Sequence, residues 1–148
     1  MPPAWPPAVP PAFKVRALGE VALRCADKPA MVAFYRDVIG LEPMTAAEAP
    51  ITFFRIAEGV AGHTAVLALF DGAGEAPPRG GAGSTLHHLA LSLPWEEQAA
   101  VMAWYEALGQ PYRVERFGWV GWRGIFTTDP DGNTVELVAK DPGWTGPA

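Results

Sequence analysis

Two of the chain's three histidines lie in one short apolar run, Leu86-His87-His88-Leu89-Ala90-Leu91. Read as a strand, its side chains alternate faces, so His88, Ala90 and Ser92 share one side and Leu89, Leu91 and Leu93 the other. The large apolar side chains belong against a core. The opposite face then carries an imidazole, a metal ligand or acid–base group, between small neighbours that leave room in front of it. His88 is therefore the first candidate for chemistry. His87 is one residue out of phase and is expected to face away, in a packing or surface role. His63, beside Gly62, reads as a turn residue. The single cysteine, Cys25, cannot form an internal disulfide and sits in an alternating apolar run, which favours a buried, inert thiol over a nucleophile.

A second informative stretch is Phe117-Gly118-Trp119-Val120-Gly121-Trp122-Arg123-Gly124-Ile125-Phe126. Glycine between large aromatics lets a ligand or another backbone approach closely. Trp122, Gly124, Phe126 and Thr128 fall on one face and Arg123 on the other. Trp122 and Phe126 are candidates for the wall of a small-molecule pocket, and Phe54 and Ile56 are weaker candidates from the corresponding region of the first half. Ordinary aromatic core and edge protection explains the same pattern. Tyr35, Trp104 and Tyr105 fall on helices and read as core.

The elements that must position these residues follow from the chain in order. Residues 1–13 are proline-rich and read as an extended N-terminal arm that Trp5 and Phe13 could pin to a surface. Lys14–Cys25 reads as a strand. Asp27 is suited to cap a helix with Pro29 in its first turn, and Met31, Phe34, Tyr35 and Val38 recur at helical spacing until Gly40. Leu41–Thr45, Ile51–Ala57 and Thr64–Phe70 read as strands. Residues 72–84, rich in Gly and Pro, read as a linker. Thr85–Leu93 is then a strand, Trp95–Leu108 a helix ended by Gly109, and Arg113–Trp119, Trp122–Thr128 and Thr134–Lys140 three more strands. Asp129-Pro130-Asp131-Gly132-Asn133 supplies the reversal between the last two. The tail is 141–148.

The second half repeats the first. Leu18-x-Glu20-Val21-Ala22-Leu23 matches Leu86-x-His88-Leu89-Ala90-Leu91, 68 residues on (88 − 20). Val66-Leu67-Ala68-Leu69 matches Thr134-Val135-Glu136-Leu137 at the same offset, and Phe34-Tyr35 matches Trp104-Tyr105. Two strand–helix–three-strand units, 14–71 and 85–140, are indicated. The fold class is α+β: two tandem βαβββ modules forming curled mixed sheets with helices outside.

Composition narrows the partners. The chain has 148 residues and a net charge of −5, with no run of like charges, so no nucleic-acid footprint is expected. The N-terminus reads as neither a signal nor a transit peptide, and no apolar run is long enough to span a membrane. A cytoplasmic protein with a small-molecule substrate or ligand is the expectation.

The tandem repeat, the aromatic-Tyr pair before Gly40-Leu41, the His88-x-Ala90 strand opening unit two, and Asp129-Pro130-Asp131-Gly132-Asn133-x-x-Glu136-Leu137 near the end together resemble the vicinal oxygen chelate superfamily. This group includes glyoxalase I, bleomycin and fosfomycin resistance proteins and extradiol dioxygenases. The resemblance covers about residues 15–140. It implies half-barrel sheets whose first and last strands supply metal ligands, and homodimers in which half-barrels pair across chains as well as within one. The corresponding residues are Glu20 and His88 on the opening strands and Ala68 and Glu136 on the closing ones. Ala68 cannot coordinate, so the resemblance implies a three-ligand site of Glu20, His88 and Glu136 for a divalent ion such as Mn²⁺, Fe²⁺, Ni²⁺ or Zn²⁺. Glu20 and Glu136 are the implied catalytic carboxylates, with Glu20 a ligand or a base beside the metal. The activity implied is that of a lyase, isomerase or dioxygenase acting on a small oxygenated molecule by bidentate chelation; the other reading is a metal-free binding or sequestering protein of the bleomycin-resistance type. A third alternative is a ligand-sensing or interaction domain without catalysis; in a purely structural reading, Glu20 and Glu136 pair with Arg24, Arg55 or Arg123, and His88 is hydrogen-bonded between them.

Overall fold

The computed structural model describes residues 9–72 and 80–147. Residues 1–8 of the proline-rich arm, with Trp5, and residues 73–79 of the linker lie outside the described residues, as does Ala148. The elements run β1 (Glu20–Cys25), α1 (Lys28–Ala33), β2 (Glu42–Pro43), β3 (Ile51–Val60) and β4 (His63–Asp71), then β5 (Leu89–Ser92), α2 (Gln98–Leu108), β6 (Arg113–Phe117), β7 (Trp122–Thr128) and β8 (Thr134–Lys140). They form two four-stranded mixed sheets, ordered β1-β4-β3-β2 and β5-β8-β7-β6. In each, the first strand of the module runs parallel to the last and the others are antiparallel. The 68-residue repeat is reproduced in the register: Ala22 faces Ala68, and Ala90 faces Glu136.

Local chemistry sets the ends of these elements. The Asp27 carboxylate accepts the Ala30 N–H at 3.1 Å and Pro29 lies in the first turn of α1, a cap worth about 1 kcal/mol. The helix does not stop at Ala33 but widens into a π turn over Phe34–Val38, closed by Ile39 N–H donating to the Phe34 carbonyl. Gly40 then leaves it with φ +84°, a conformation that excludes most side chains. The β3–β4 hairpin turns on Ala61 and Gly62, both at positive φ, which matches a tight primed turn and places His63 at the first position of β4.

Several strands are shorter than their hydrophobic pattern suggests. Lys14–Gly19 stays outside the sheet because β4 offers partners only from Val66 onward, and Leu86–His88 precedes β5 for the same reason on β8. Leu41–Thr45 contracts to a two-residue strand, and Arg113–Trp119 ends at Phe117 because Gly118–Gly121 forms the reversal to β7. Trp95–Glu97 forms a 3₁₀ turn leading into α2.

One apolar cluster joins the halves: Leu23, Cys25, Phe54, Leu67 and Leu69 from the first sheet, Leu89, Leu91, Ile125, Val135 and Leu137 from the second, and Met31, Phe34, Tyr35 and Tyr105 from the helical segments. Cys25 is fully buried, and burial pushes its thiol up to about 12, so it has no nucleophilic role. Trp104, in contrast to the core role expected of it, is half exposed and donates its indole N–H to the Asp37 carbonyl.

A polar joint complements this core. The buried Asp129 carboxylate accepts hydrogen bonds from Asp131 N–H, Asn133 N–H, the Asn133 amide and, at 2.7 Å, the Tyr35 hydroxyl of the other module. Asp131 in turn accepts the Ala26 N–H at 2.8 Å, just ahead of α1. Removing the Tyr35 hydroxyl leaves a buried carboxylate short of one charge-assisted bond. Tyr35→Phe is expected to lower unfolding stability by about 1.5–3 kcal/mol in urea titrations, with no change in secondary structure by circular dichroism.

Candidate metal and substrate site

The faces of the second sheet divide as alternation requires. Leu89, Leu91, Val135, Leu137 and Ile125 point into the core. The opposite face carries Ala90 and Ser92 from β5, Glu136 and Val138 from β8, Gly124 and Phe126 from β7, and Arg113, Glu115 and Phe117 from β6, as the cross-strand register dictates. His88 stands at the head of β5 on that face.

His88 and Glu136 meet there. His88 Nε2 lies 3.1 Å from Glu136 Oε2, with the imidazole partly exposed and the carboxylate almost wholly buried. The space for that carboxylate is made by Gly124: a Cβ at that residue would sit 2.3 Å from Glu136 Oε1. Phe126, in register with Glu136, packs its ring 6.1 Å from the His88 ring and forms the floor beside the pair. Burial raises the Glu136 carboxyl above its ordinary value, an effect that His88 partly offsets and the Glu115 carboxylate reinforces.

The donor chemistry fits a divalent ion. Two ligand atoms about 2.1 Å from one ion and at right angles to each other are about 3 Å apart, the separation that His88 Nε2 and Glu136 Oε2 already have. Neither Arg55 nor Arg123 competes for Glu136. Arg55 pairs with Glu42, and Arg123 bonds to Gln98 and stacks on Trp95.

Other expected site residues are placed differently. Glu20 opens β1 on the other sheet and is exposed. Among the described residues no three His, Cys, Asp or Glu side chains gather closely enough to hold an ion, so Glu20 does not join His88 and Glu136 within the chain. Ala68, its counterpart on the closing strand, is fully buried. Phe54 is not a pocket residue: alternation along β3 turns it inward, and it is fully buried in the core. Ile56 likewise packs against that core. Trp122 is partly exposed at the far end of the second face, where a cavity of about 340 Å³ opens between it, Ser92, Val138 and Lys140. His87 does not point away, because the chain at 86–88 lies outside the ladder and is free of strict alternation; its Nδ1 lies 2.7 Å from His88 Nδ1.

Two charged residues of this face escaped sequence reasoning. Arg113 and Glu115 pair with each other, and the Arg113 guanidinium lies 4.2 Å above the Phe126 ring. Their i, i+2 spacing places them on one side of β6, but with Val114 and Arg116 on the other the composition of the two sides does not say which one faces the His88–Glu136 pair.

A family model for the Glyoxalase/Bleomycin resistance protein/Dioxygenase superfamily matches residues 17–137, nearly the whole of both modules. The chain belongs to that superfamily. Among solved structures, lactoylglutathione lyase from Agrobacterium tumefaciens is 30% identical with a TM-score of 0.64, the alignment covering 88% of this chain and 95% of that one. A glyoxalase/dioxygenase from Nostoc punctiforme has a TM-score of 0.69 at 20% identity, covering 90% and 97%. The fosfomycin resistance protein FosX from Listeria monocytogenes has a TM-score of 0.57 at 18% identity, covering 88% and 96%. Among curated proteins there is no significant match. This superfamily member thus carries its paired donors on the second sheet, while the matching closing-strand residue of the first sheet is alanine.

The raised Glu136 carboxyl has a thermodynamic signature. A carboxyl whose folded value exceeds its unfolded value contributes its full stability at low pH and loses it as pH rises through the folded value. In metal-free protein at pH 7, Glu136→Gln is expected to raise the melting temperature by a few degrees, an advantage that shrinks as pH falls toward 4. Thermal melts of both proteins across that pH range check it.

Proposed function

We propose that the chain is a divalent-metal-dependent enzyme of the vicinal oxygen chelate type, acting on a small oxygenated molecule. The observation that carries this reading is the convergence of His88 Nε2 and Glu136 Oε2, with Gly124 making the room that the carboxylate occupies. An imidazole and a carboxylate with no thiolate suit Mn²⁺, Fe²⁺, Ni²⁺ or Zn²⁺. When bound, such an ion supplies Lewis-acid stabilisation of negative charge on a chelating oxygen pair. The chain's own contributions are separate. His88 and Glu136 hold the ion, the apolar floor of Phe126 limits water, and the buried Glu136 is anchored on the central strand β8.

Glu20 is the proposed third donor, or a base beside the metal. Its exposure on the other sheet supports a site completed by a second copy of the chain: Glu20 of one protomer approaches the His88–Glu136 pair of its partner in a homodimer. The lyase, isomerase and dioxygenase chemistries all fit this arrangement. A lactoylglutathione lyase stands among its structural neighbours, and we extend only the general class of metal-assisted chemistry from it.

A second reading, metal-free sequestration of a flat ligand, draws on Ala68 and on the partly exposed Trp122 beside its cavity. Metal separates the two. Protein purified without added metal and then titrated with Mn²⁺ is expected to gain about 2.7 kcal/mol of stability at a hundred times the dissociation constant, a gain lost in His88→Ala and Glu136→Ala. No stabilisation by any of the four ions would sink the enzyme reading.

The shared site has its own check. Glu20→Ala and His88→Ala proteins, each defective alone, are expected on unfolding and refolding together to recover about a quarter of the wild-type metal sites, since only mixed dimers contain one intact site. A site built within one chain would recover none.

A further inference from the structure

We infer that the cavity between Arg113, Phe126 and Thr134, in the same cross-strand row as Glu136, is a carboxylate subsite built on Arg113, so that the substrate is a small organic acid whose carboxylate is separate from its chelating oxygens. This rests on the metal-site reading above and adds the class of substrate to it.

The residues form one row across the sheet. Arg113 is the register partner of Phe126, and Phe126 of Glu136, so the guanidinium and the metal-binding carboxylate stand two strands apart, about 10 Å at the backbone. Phe126 stands between them, and the Arg113 guanidinium carbon lies 4.2 Å from the centre of its ring. One N–H group is held by Glu115; the others make no hydrogen bond among the described residues.

A cavity of about 250 Å³ opens at this end of the row, lined by Arg113, Phe126, Thr128 and Thr134 among others. Thr128 and Thr134 are register partners, and their hydroxyls have no hydrogen-bond partner among the described residues. A planar guanidinium with free N–H groups, two hydroxyl donors and an aromatic floor is a receptor for a planar oxyanion. Arg113 and Glu115 are both about half exposed on the edge strand β6, so the guanidinium is reachable from solvent. Glu115 acts as an internal stand-in for the substrate carboxylate and competes with it for the guanidinium.

Catechol and 3,4-dihydroxybenzoate present the same vicinal oxygens and differ only in one carboxylate. Titrated by calorimetry into Mn²⁺-loaded full-length protein, 3,4-dihydroxybenzoate is expected to bind about 10–100-fold more tightly than catechol, the range for charge-assisted hydrogen bonds. Arg113→Gln is expected to collapse that ratio to near one, and Arg113→Lys to restore only part of it because an ammonium cannot make the bidentate contact. Glu115→Gln, by removing the competitor, is expected to raise the ratio. Melting curves of each variant verify folding, and the rise with Glu115→Gln is a gain that misfolding cannot produce. Equal binding of the two probes by the wild type would overturn the carboxylate subsite while leaving the metal site standing. Binding of neither probe to protein that does take up Mn²⁺ would also overturn the subsite, whereas failure to take up Mn²⁺ would defeat the metal reading itself.

Discussion

The buried carboxylate of Asp129 fixes where the last strand begins. Its four hydrogen bonds shape the turn from Asp129 to Asn133 and tie it to Tyr35 of the other module. β8 starts immediately afterwards at Thr134, so the joint sets which residue of β8 faces Ala90 and which way Glu136 points. A one-residue slip would turn Glu136 into the core and Val135 or Leu137 out to the recess. The site's geometry thus depends on a contact remote from its chemistry, and that contact holds only while the two modules remain docked.

Much of this was legible in the chain because it rests on short-range periodicity and on a repeat. Alternation along Leu86–Leu93 and along Thr134–Lys140 separates core from recess, and the 68-residue offset of Glu20 from His88 and of Ala68 from Glu136 reappears as equivalent strand registers. The errors arose where a residue's surroundings are set by partners distant in sequence. Phe54 was assigned to a pocket because its neighbours resemble the aromatic stretch of the second module, yet its parity on β3 turns it inward. His87 was turned away from the site by an alternation that holds only inside the ladder, which begins two residues later. Arg113 gave no signal of its own, since its significance comes from Phe126, a partner on another strand.

The recess is electrostatically economical. Burial disfavours the Glu136 anion, and three features moderate the cost: the adjacent imidazole, the stacked guanidinium two strands away, and the exposure of the face to solvent at His88. A divalent ion would reverse the sign of the local field and favour ionised Glu136.

The alanine at residue 68 bears on how this chain can change over generations. With exposed Ala22 in register with buried Ala68, this row of the first sheet carries no charged pair. The twin row of the second sheet, Ala90 and Glu136 beneath His88, cannot drift without losing the donors. The two halves of the repeat have kept one register while diverging in charge on their closing strands. A substitution at residue 68 and one at residue 136 therefore act on equivalent strands with unequal consequences: the first changes only packing volume, the second removes a buried charge.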